Sequence, residues 1–306
     1  EMIPFMLCLH FFVVRTVALS SGDTIAVLGA SGNVGRLVAL RLSDSYNVNA
    51  VVRDASKVKA FLARENVQLF EADVRGEPKA LEAALSAASA VVMCTGTTAF
   101  PTQAWSKSGG GEVTGAVLKA LLDKRFSVAS AIAQLDEDGF NTPQNVDAEG
   151  MKRVLSAWEA AAGARKRFIM MSSIGVRRRT EMPFPVLNAC GVLDAKATAE
   201  AALMADAQAA GYSYTIVRPG QLFGGPYDNN YYLGTLFQLD KDASEQDVLC
   251  STGDSLVGDT LRSTLGEVIA QLCEHDAAKD IDFSVVNVKG DAPTIEELRE
   301  RLAALS

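Results

Sequence analysis

Three glycines at a spacing of three residues are the clearest chemical signal in the sequence. Gly29, Gly32 and Gly35 lie in VLGASGNVGRLVAL, after an apolar run and before apolar residues at helical spacing. In a strand–turn–helix unit, the first glycine permits a tight turn and the second lets the backbone approach a pyrophosphate. The third lets the helix pack close to the sheet. The helix N-terminus then directs N–H groups and partial positive charge at the phosphates. This context predicts dinucleotide binding, and the alternative is a turn that only packs tightly.

The end of the second predicted strand indicates which dinucleotide the loop would hold. The strand VNAVVR ends at Arg53, and Asp54 follows it. An acid at this position would bind the ribose hydroxyls of NAD, whereas a basic residue accommodates the 2′-phosphate of NADP. A guanidinium binds phosphate in a bidentate manner, and Ser31 in the loop could add a hydroxyl. Arg53 therefore predicts NADP(H), although Asp54 would favour NAD if its side chain pointed inward.

Polar and small residues end the next two predicted strands. Asp73 lies at the end of the third strand, where its carboxylate could bind the adenine amino group or could cap a helix. Thr95, Gly96 and Thr97 end the fourth strand. Ligands bind at the carboxyl edge of open α/β sheets, so we expect these small residues to line the cofactor.

Strands and helices alternate along most of the chain, and this order must position the residues above. Apolar-rich runs predict strands at residues 24–29, 48–53, 67–74, 89–96, 167–173, 214–220 and 283–288. Helical patterns lie between most of them. The alternation predicts an α/β fold with a parallel sheet that is covered on both faces.

Two segments depart from this alternation. Residues 102–140 contain the flexible SKSGGG and then an Ala-, Val- and Leu-rich stretch, which predicts a helical insertion over the top edge of the sheet. The insertion could form a lid, but a surface role is the favoured interpretation. Residues 221–306 predict a small C-terminal cap on the same domain, so residues 23–306 are expected to form a single domain.

Composition excludes several classes of function. The chain has 306 residues and a net charge of −8, which argues against a general nucleic-acid or anionic-membrane binder. Its five cysteines are widely spaced, so neither a disulfide framework nor a metal site is expected. The apolar run at 2–14 is shorter than the roughly 20 residues of a membrane-spanning helix. Its length suits the apolar region of a signal peptide, so residues 1–22 are interpreted as a leader or targeting segment, and the alternative is an ordinary extra segment or a gene-model artefact.

Seven segments in order carry a resemblance to a known family. They are GASGNVG, VRDASKV, EADVRG, CTGTTAFP, NTPQNVDAEG, RFIMMSSIGV and YTIVRPGQL. Together they resemble the atypical short-chain dehydrogenase/reductases, and more specifically the NmrA-like NAD(P)-binding Rossmann proteins of plant and algal plastids. The resemblance implies a doubly wound parallel Rossmann sheet of about seven strands, with NADP(H) as the cofactor. It also suggests a plastid location, with the cytoplasm as the alternative.

The resemblance also implies contacts for each part of the cofactor. The pyrophosphate is expected to contact Gly29, Ser31, Gly32, Asn33, Val34 and Gly35, and the 2′-phosphate is expected to contact Arg53. Asp73 would contact the adenine, and Gly96, Thr97 and Lys196 would contact the ribose. Pro219 and Gly220 would lie near the nicotinamide.

The catalytic residues match the resemblance only in part. Active relatives use a serine, a tyrosine and a lysine, the last two spaced as Y-x-x-x-K, and the tyrosine moves the proton while hydride is transferred. Ser172 or Ser173 matches the serine and Lys196 matches the lysine, but Val192 stands in the place of the tyrosine. Valine has no proton to give, and a positioned general acid contributes about 10²–10⁴-fold in rate.

Two functions therefore stay open. The first is an NADPH-dependent reductase of a small carbonyl, quinone or alkene. The second is a non-catalytic NADP(H)-binding protein that senses redox state or serves as an assembly or scaffold factor. Tyr227, Tyr231 and Tyr232 could supply a phenol from the cap, although packing or loop surface is favoured for them. The expected partner is a small-molecule substrate or another protein, with neither nucleic acid nor membrane insertion.

Overall fold

A computed structural model describes residues 18–161, 163–224 and 244–305. Most of the predicted leader and the three cap tyrosines lie outside these ranges. The strands are β1 (Thr24–Leu28), β2 (Asn47–Val52), β3 (Val67–Glu71), β4 (Ala88–Met93), β5 (Arg167–Met171), β6 (Ser213–Pro219), β7 (Gln221–Phe223), β8 (Asp247–Thr252), β9 (Asp259–Leu261) and β10 (Ile281–Val288).

The α-helices connect these strands and cover the sheet. They are α1 (Asn33–Leu42), α2 (Lys59–Leu62), α3 (Pro78–Leu85), α4 (Thr114–Asp123), α5 (Val128–Glu137), α6 (Glu149–Ala160), α7 (Phe184–Leu187), α8 (Val192–Ala210), α9 (Arg262–Glu274) and α10 (Ile295–Ala303). A π-helical turn, Gln144–Ala148, leads into α6.

Eight strands form the main sheet in the order β3-β2-β1-β4-β5-β6-β10-β8. The pairs from β3 through to β10 are parallel, and β8 pairs antiparallel with β10 at the edge. The chain winds outward from β1 through β2 to β3 and then returns to add β4 on the other side. This reversal opens a crevice at the carboxyl ends of β1 and β4, where ligands bind in such folds. The doubly wound α/β prediction is confirmed.

The C-terminal part does more than the small cap that the sequence predicted. β10 extends the parallel sheet beside β6, with Phe283 opposite Val217, and β8 completes the edge. The side chains of Phe283 and Val285 are fully buried. Much of 244–305 therefore belongs to the main sheet and its covering helices, and β10 contains the strand that the sequence predicted at 283–288.

Both faces of the sheet are buried, which explains the uniformly apolar strands. Ile25 and Val27 pack with α1 and α9 on one face, while Ala26 and Leu28 pack with α3, α6 and α8 on the other. Adjacent residues of a strand point to opposite faces, so a central parallel strand needs apolar residues at every position. Burying a Leu or Ile side chain contributes roughly 1.5–3 kcal/mol.

Residues 102–140, predicted to be a helical insertion, contain α4 and α5. The two helices pack on a small core of their own, which includes Trp105, Val113 and Leu135. Arg125 and Phe126 adopt left-handed backbone angles, with φ of 52° and 63°, between the helices. Such angles interrupt helical geometry, so the single helical pattern of the sequence becomes a hairpin.

None of the helices in the described ranges has the length and apolar character needed to span a membrane.

Candidate functional site

The glycine loop between β1 and α1 has the geometry that its spacing predicts. Gly29 has a left-handed φ of +78°, and its N–H donates to the Val51 carbonyl of β2 at 3.1 Å. A Cβ on Gly35 would lie 2.3 Å from the Gly29 carbonyl oxygen. Because that contact is with backbone, a larger residue could not be accommodated by a side-chain movement. Gly35 thus allows α1 to begin close against the strand.

The loop presents unused hydrogen-bond donors at the start of α1. Among the described residues, no acceptor contacts the backbone N–H groups of Ser31, Asn33, Val34 and Gly35. The N-cap residue Gly32 offers no side chain, and no acidic residue lies in the first turn. The N-terminus of α1 therefore keeps its free N–H groups and its partial positive charge, as a pyrophosphate site requires.

A cavity connects this loop with the carboxyl ends of β2, β3 and β4. Its lining includes most of the predicted cofactor residues and part of the insertion: Gly29, Ser31, Gly32, Arg53, Asp73, Thr95, Gly96, Thr97, Ala104, Asn141 and Val146. The structure therefore brings the predicted pyrophosphate, 2′-phosphate, adenine and ribose contacts to one cleft.

Arg53 and its neighbour Asp54 point in different directions. Arg53 is exposed and lines the cavity. Asp54 turns away and caps a 3₁₀ turn, where it accepts from the N–H of Ser56 at 3.0 Å and pairs with Lys57 at 3.3 Å. The hydrogen bonds from Ser56 and Lys57 hold the pKa of Asp54 below its ordinary value. The inward orientation that would favour NAD is thus not observed for Asp54.

Asp73 lines the cavity but already has a partner. Its carboxylate accepts from the Arg75 backbone N–H at 2.9 Å and from the Arg75 guanidinium at 3.1 Å. The N-cap of α3 is Glu77, so the alternative role of Asp73 as a helix cap was wrong. Contact with adenine stays a prediction for this residue.

Lys196 is buried beside Gly96 and Thr97, two residues that line the cleft, rather than exposed on the protein surface. Its ammonium donates to Asp147 Oδ1 at 2.8 Å, and both side chains are buried. Asp147 also accepts from the Thr97 N–H at 3.2 Å. A Cβ on Gly96 would lie 3.3 Å from Lys196 Nζ, a tight contact that shows how closely the ammonium approaches this glycine. The lysine and the predicted ribose contacts are therefore neighbours.

The two serines do not present their hydroxyls to the cavity. Ser172 donates to Glu200 at 2.5 Å, and Glu200 forms two further hydrogen bonds, at 2.9 and 2.6 Å, with the guanidinium of Arg218. Arg218 is 1% exposed and also binds Asp282. The hydroxyl of Ser173 donates to the Ile174 carbonyl at 3.0 Å. The Ser172 hydroxyl is held in a buried charge network, and its catalytic role stays a prediction.

The position expected for the catalytic tyrosine is part of the apolar core. Val192 is 5% exposed and packs in a cluster with Ile174, Val176 and Phe184. The aliphatic cluster fills the space around it, and neither Val192 nor its cluster neighbours line the cavity. No phenol from the described residues takes its place at the cleft.

Pro219 and Gly220 lie apart from the cavity lining. A Cβ on Gly220 would lie 2.0 Å from the Gly258 carbonyl oxygen, and the Gly220 N–H donates to Thr260 at 2.8 Å. These contacts explain why a glycine stands at position 220, because the backbone leading into β7 lies close to the backbone leading into β9 there. The predicted nicotinamide role of both residues stays a prediction.

Asn141 and Asp147 were not singled out as site residues from the sequence, whereas Thr95 was expected to line the cofactor. Thr95 Oγ1 and Asn141 Oδ1 are buried without a hydrogen-bond partner in the part of the chain that the structure describes, and both residues line the cavity. Asp147 holds Lys196. Buried polar atoms normally have a partner, so a bound ligand would satisfy both oxygens. Both Asn141 and Asp147 lie in the segment NTPQNVDAEG, whose resemblance to the family could have indicated them as site residues.

The sheet order, the open amides of the glycine loop and the unsatisfied polar atoms of the cleft fit a dinucleotide. Fold and site together define a Rossmann-type dinucleotide-binding protein. The sequence model of the NAD(P)H-binding family matches residues 29–249, and the chain belongs to this family.

Solved structures share the fold at low sequence identity. One, provisionally assigned as an NAD-dependent epimerase/dehydratase of Bacillus halodurans, is 23% identical with a TM-score of 0.60, and the match covers 92% of this chain and 100% of that one. ChuY of Escherichia coli O157:H7, described as an anaerobilin reductase, is 19% identical with a TM-score of 0.56, and the match covers 89% and 99%.

A third structure contains a cofactor. A short-chain dehydrogenase/reductase of Veillonella parvula in complex with NADP is 15% identical with a TM-score of 0.53, over 89% of this chain and 99% of that one. No curated protein matches the chain. These comparisons confirm the NAD(P)-binding Rossmann prediction, whereas the NmrA-like subtype, the plastid location and the preference for NADP stay predictions.

Proposed function

We propose that the protein binds NADPH and acts as a reductase without a tyrosine acid, on conjugated acceptors such as quinones or alkenes. The observation that carries the proposal is the shared cleft, in which the open amides of the glycine loop and the guanidinium of Arg53 line one cavity. Asp54, which would favour NAD if it pointed into the cleft, instead caps the 3₁₀ turn that follows it. A neighbour of the same fold in complex with NADP lends support.

Different residues along the cleft would bind different parts of NADPH. The amides at the start of α1 would hold the pyrophosphate, and Arg53 would hold the 2′-phosphate through charge-assisted hydrogen bonds. Lys196, oriented by Asp147, would bind the ribose hydroxyls beside Thr97. NADPH, when bound, supplies a hydride.

The choice of substrate class follows from the missing acid. Reduction of a simple carbonyl forms a strongly basic alkoxide, so a positioned acid speeds it by about 10²–10⁴-fold. Here Val192 is buried in apolar packing and the Ser172 hydroxyl donates to Glu200. Hydride transfer to a quinone or a conjugated alkene leaves a delocalised anion, which solvent can protonate afterwards. A reductase with this site is therefore expected to favour conjugated acceptors.

A second candidate is a non-catalytic NADP(H)-binding sensor or assembly factor, and one observation favours it. The inserted segment contacts Arg53 through Gly109. The same segment carries the exposed apolar side chains of Leu118, Leu122 and Phe126. A ligand at Arg53 could bias the position of these helices and of any protein bound to them.

Titration of NADPH and NADH tests the cofactor assignment. We expect tighter binding of NADPH, and we expect Arg53→Ala to raise its dissociation constant by about 10–100-fold while NADH binding changes little. Lys57→Ala is the matched control, because Lys57 carries the same charge on the following turn without lining the cavity. A preference of the wild-type protein for NADH would overturn the assignment.

Turnover separates the two candidate functions. NADPH oxidation is measured with a panel of quinones, conjugated alkenes and simple aldehydes. Quinone or alkene turnover that Lys196→Ala abolishes supports the reductase. Turnover of aldehydes at comparable rates contradicts the substrate class. No turnover, together with a protein partner captured only in the presence of NADPH, supports the sensor.

The plastid location is also part of the proposal, and imaging of the tagged full chain tests it.

A further inference from the structure

The inserted segment contacts the residue that is proposed to bind the 2′-phosphate. A Cβ built on Gly109 would lie 2.3 Å from both terminal nitrogens of Arg53 and 2.6 Å from its Cζ. Because both terminal nitrogens would lie nearer to this Cβ than Cζ would, the terminal edge of the guanidinium points at Gly109. Gly109 has a left-handed φ of +76°, which L side chains rarely adopt. Only a glycine permits this close approach.

Arg53 has no hydrogen bond or ion pair with any residue in the described ranges. Gly109 is therefore the surface against which its guanidinium rests. A contact at the terminal edge leaves open the side edge of the guanidinium, which carries Nε–H and one terminal N–H, and this edge can bind a phosphate in a bidentate manner. The contact positions Arg53 without using its hydrogen-bonding capacity.

The loop that carries Gly109 is built from internal hydrogen bonds. The buried Ser106 hydroxyl accepts from the N–H groups of Gly110 and Gly111, each at 2.8 Å. The Gly109 N–H donates to the Ser106 carbonyl at 2.8 Å. Three donors converging on one serine fix a loop whose glycine content alone would predict flexibility.

Two residues attach this loop to the walls of the cavity. Asn141 donates to the carbonyls of Ala104 and Ser106, at 3.1 and 2.5 Å. Arg75, paired with Asp73 at the end of β3, donates to the Lys107 carbonyl at 3.0 Å. Asn141 and Asp73 both line the cavity. The loop is therefore held in a defined position relative to the cofactor cleft.

We propose that the insertion forms part of the cofactor site, and that its Gly109 positions the Arg53 guanidinium for the 2′-phosphate of NADPH. The inference rests on the proposed function, in which Arg53 binds that phosphate. It gives the insertion a role in cofactor specificity. Gly109 is a positioning residue, because it acts through Arg53 and need not touch the ligand.

The substitution Gly109→Ala tests the role of this contact. Its Cβ would overlap the guanidinium, which can move aside because it is the far end of a flexible, exposed side chain. The expected effect is displacement of Arg53 with little change in the fold. Gly110→Ala is a matched control in the same loop, because a Cβ at Gly110 would meet no atom within 4 Å. Gly109→Asn is a second variant, because asparagine tolerates left-handed angles better than alanine.

Dissociation constants for NADPH and NADH are measured for the wild type, the three glycine variants, Arg53→Ala and the double variant with Gly109→Ala. Gly109→Ala is expected to raise the NADPH constant by about 10-fold and to leave the NADH constant within about twofold. Gly110→Ala should change neither. In the Arg53→Ala background, Gly109→Ala should have no further effect on NADPH, because the two residues act through one contact.

The outcomes separate this inference from the proposed function. If Arg53→Ala leaves the ratio of the two constants unchanged, the proposed 2′-phosphate site fails. If Arg53→Ala lowers the preference for NADPH but both Gly109 variants retain it, the positioning role fails alone. Equal weakening of both cofactors, or a further loss of NADPH binding in the double variant, shows general loosening of the loop and also overturns the inference.

Discussion

The hydroxyl of Ser172 is expected to stabilise the fold rather than to act on a substrate. It is 4% exposed and donates to Glu200, whose carboxylate is also bound twice by the buried Arg218. Ser172→Ala removes this donor and changes little else, because alanine keeps the Cβ. The variant therefore distinguishes a structural serine from a catalytic one.

The structure also sets the size of the effect. A hydrogen bond to a charged group contributes about 1.5–3 kcal/mol. Glu200 keeps its two bonds from Arg218, so the expected loss in the free energy of unfolding lies near the lower end, at about 1–2 kcal/mol. Urea denaturation followed by the fluorescence of the buried Trp105 and Trp158 measures it.

Ser173→Ala is the control for this measurement. Within the described ranges, the half-buried Ser173 hydroxyl bonds only to the carbonyl of its neighbour Ile174, so its loss should cost under about 0.5 kcal/mol. Both variants should keep the wild-type dissociation constant for NADPH. The reasoning is refuted if Ser172→Ala unfolds at the wild-type urea midpoint yet loses about 100-fold or more of NADPH oxidation, a loss typical of a general acid–base group.

Two further predictions concern the missing tyrosine and acid stability. Val192→Tyr should lower the free energy of unfolding by about 1–3 kcal/mol through overpacking, without aldehyde reduction; a gain of about 100-fold in that turnover would contradict the reasoning. The hydrogen bond from Arg301 to Asp247, at 2.7 Å, holds the pKa of Asp247 below its ordinary value of 3.8. This stabilisation is present above the ordinary pKa and is lost as the pH falls through the folded pKa. Asp247→Asn should therefore lower the free energy of unfolding at neutral pH by about 0.2–1 kcal/mol, which is measured as a lower urea midpoint than that of the wild type. The two midpoints should converge once the pH falls below the folded pKa of Asp247, and a gap that persists there would exclude the ion pair as its source.

Much of the fold could be predicted because parallel strands that are buried on both faces leave a strong local pattern. Ile25 through Leu28 are apolar at every position, and each residue packs on one face or the other. The edge strand β8 lacked this signal, because DVLCST mixes buried and exposed residues. Its role depends on pairing with β10, which the local sequence does not encode.

In the site, contacts between residues close in sequence could be predicted, whereas contacts between residues far apart in sequence could not. The requirement for Gly35 arises from its close approach to Gly29 within one turn, so the spacing revealed it. The partner of Ser172 could not be predicted in the same way, because Glu200 comes from a helix in another part of the chain. Likewise, nothing in the sequence near Arg53 indicates that Gly109 lies against it.

The buried charges around Ser172 limit how this site can evolve. Replacing Glu200 alone would leave the 1% exposed Arg218 short of a carboxylate. Removing one member of a buried pair costs about 3–5 kcal/mol, against a typical total stability of about 5–15 kcal/mol. Freeing the Ser172 hydroxyl would therefore require both charges to be replaced together, because either replacement alone consumes much of the stability of the fold. The network thus couples the residue at position 172 to the residues at positions 200 and 218.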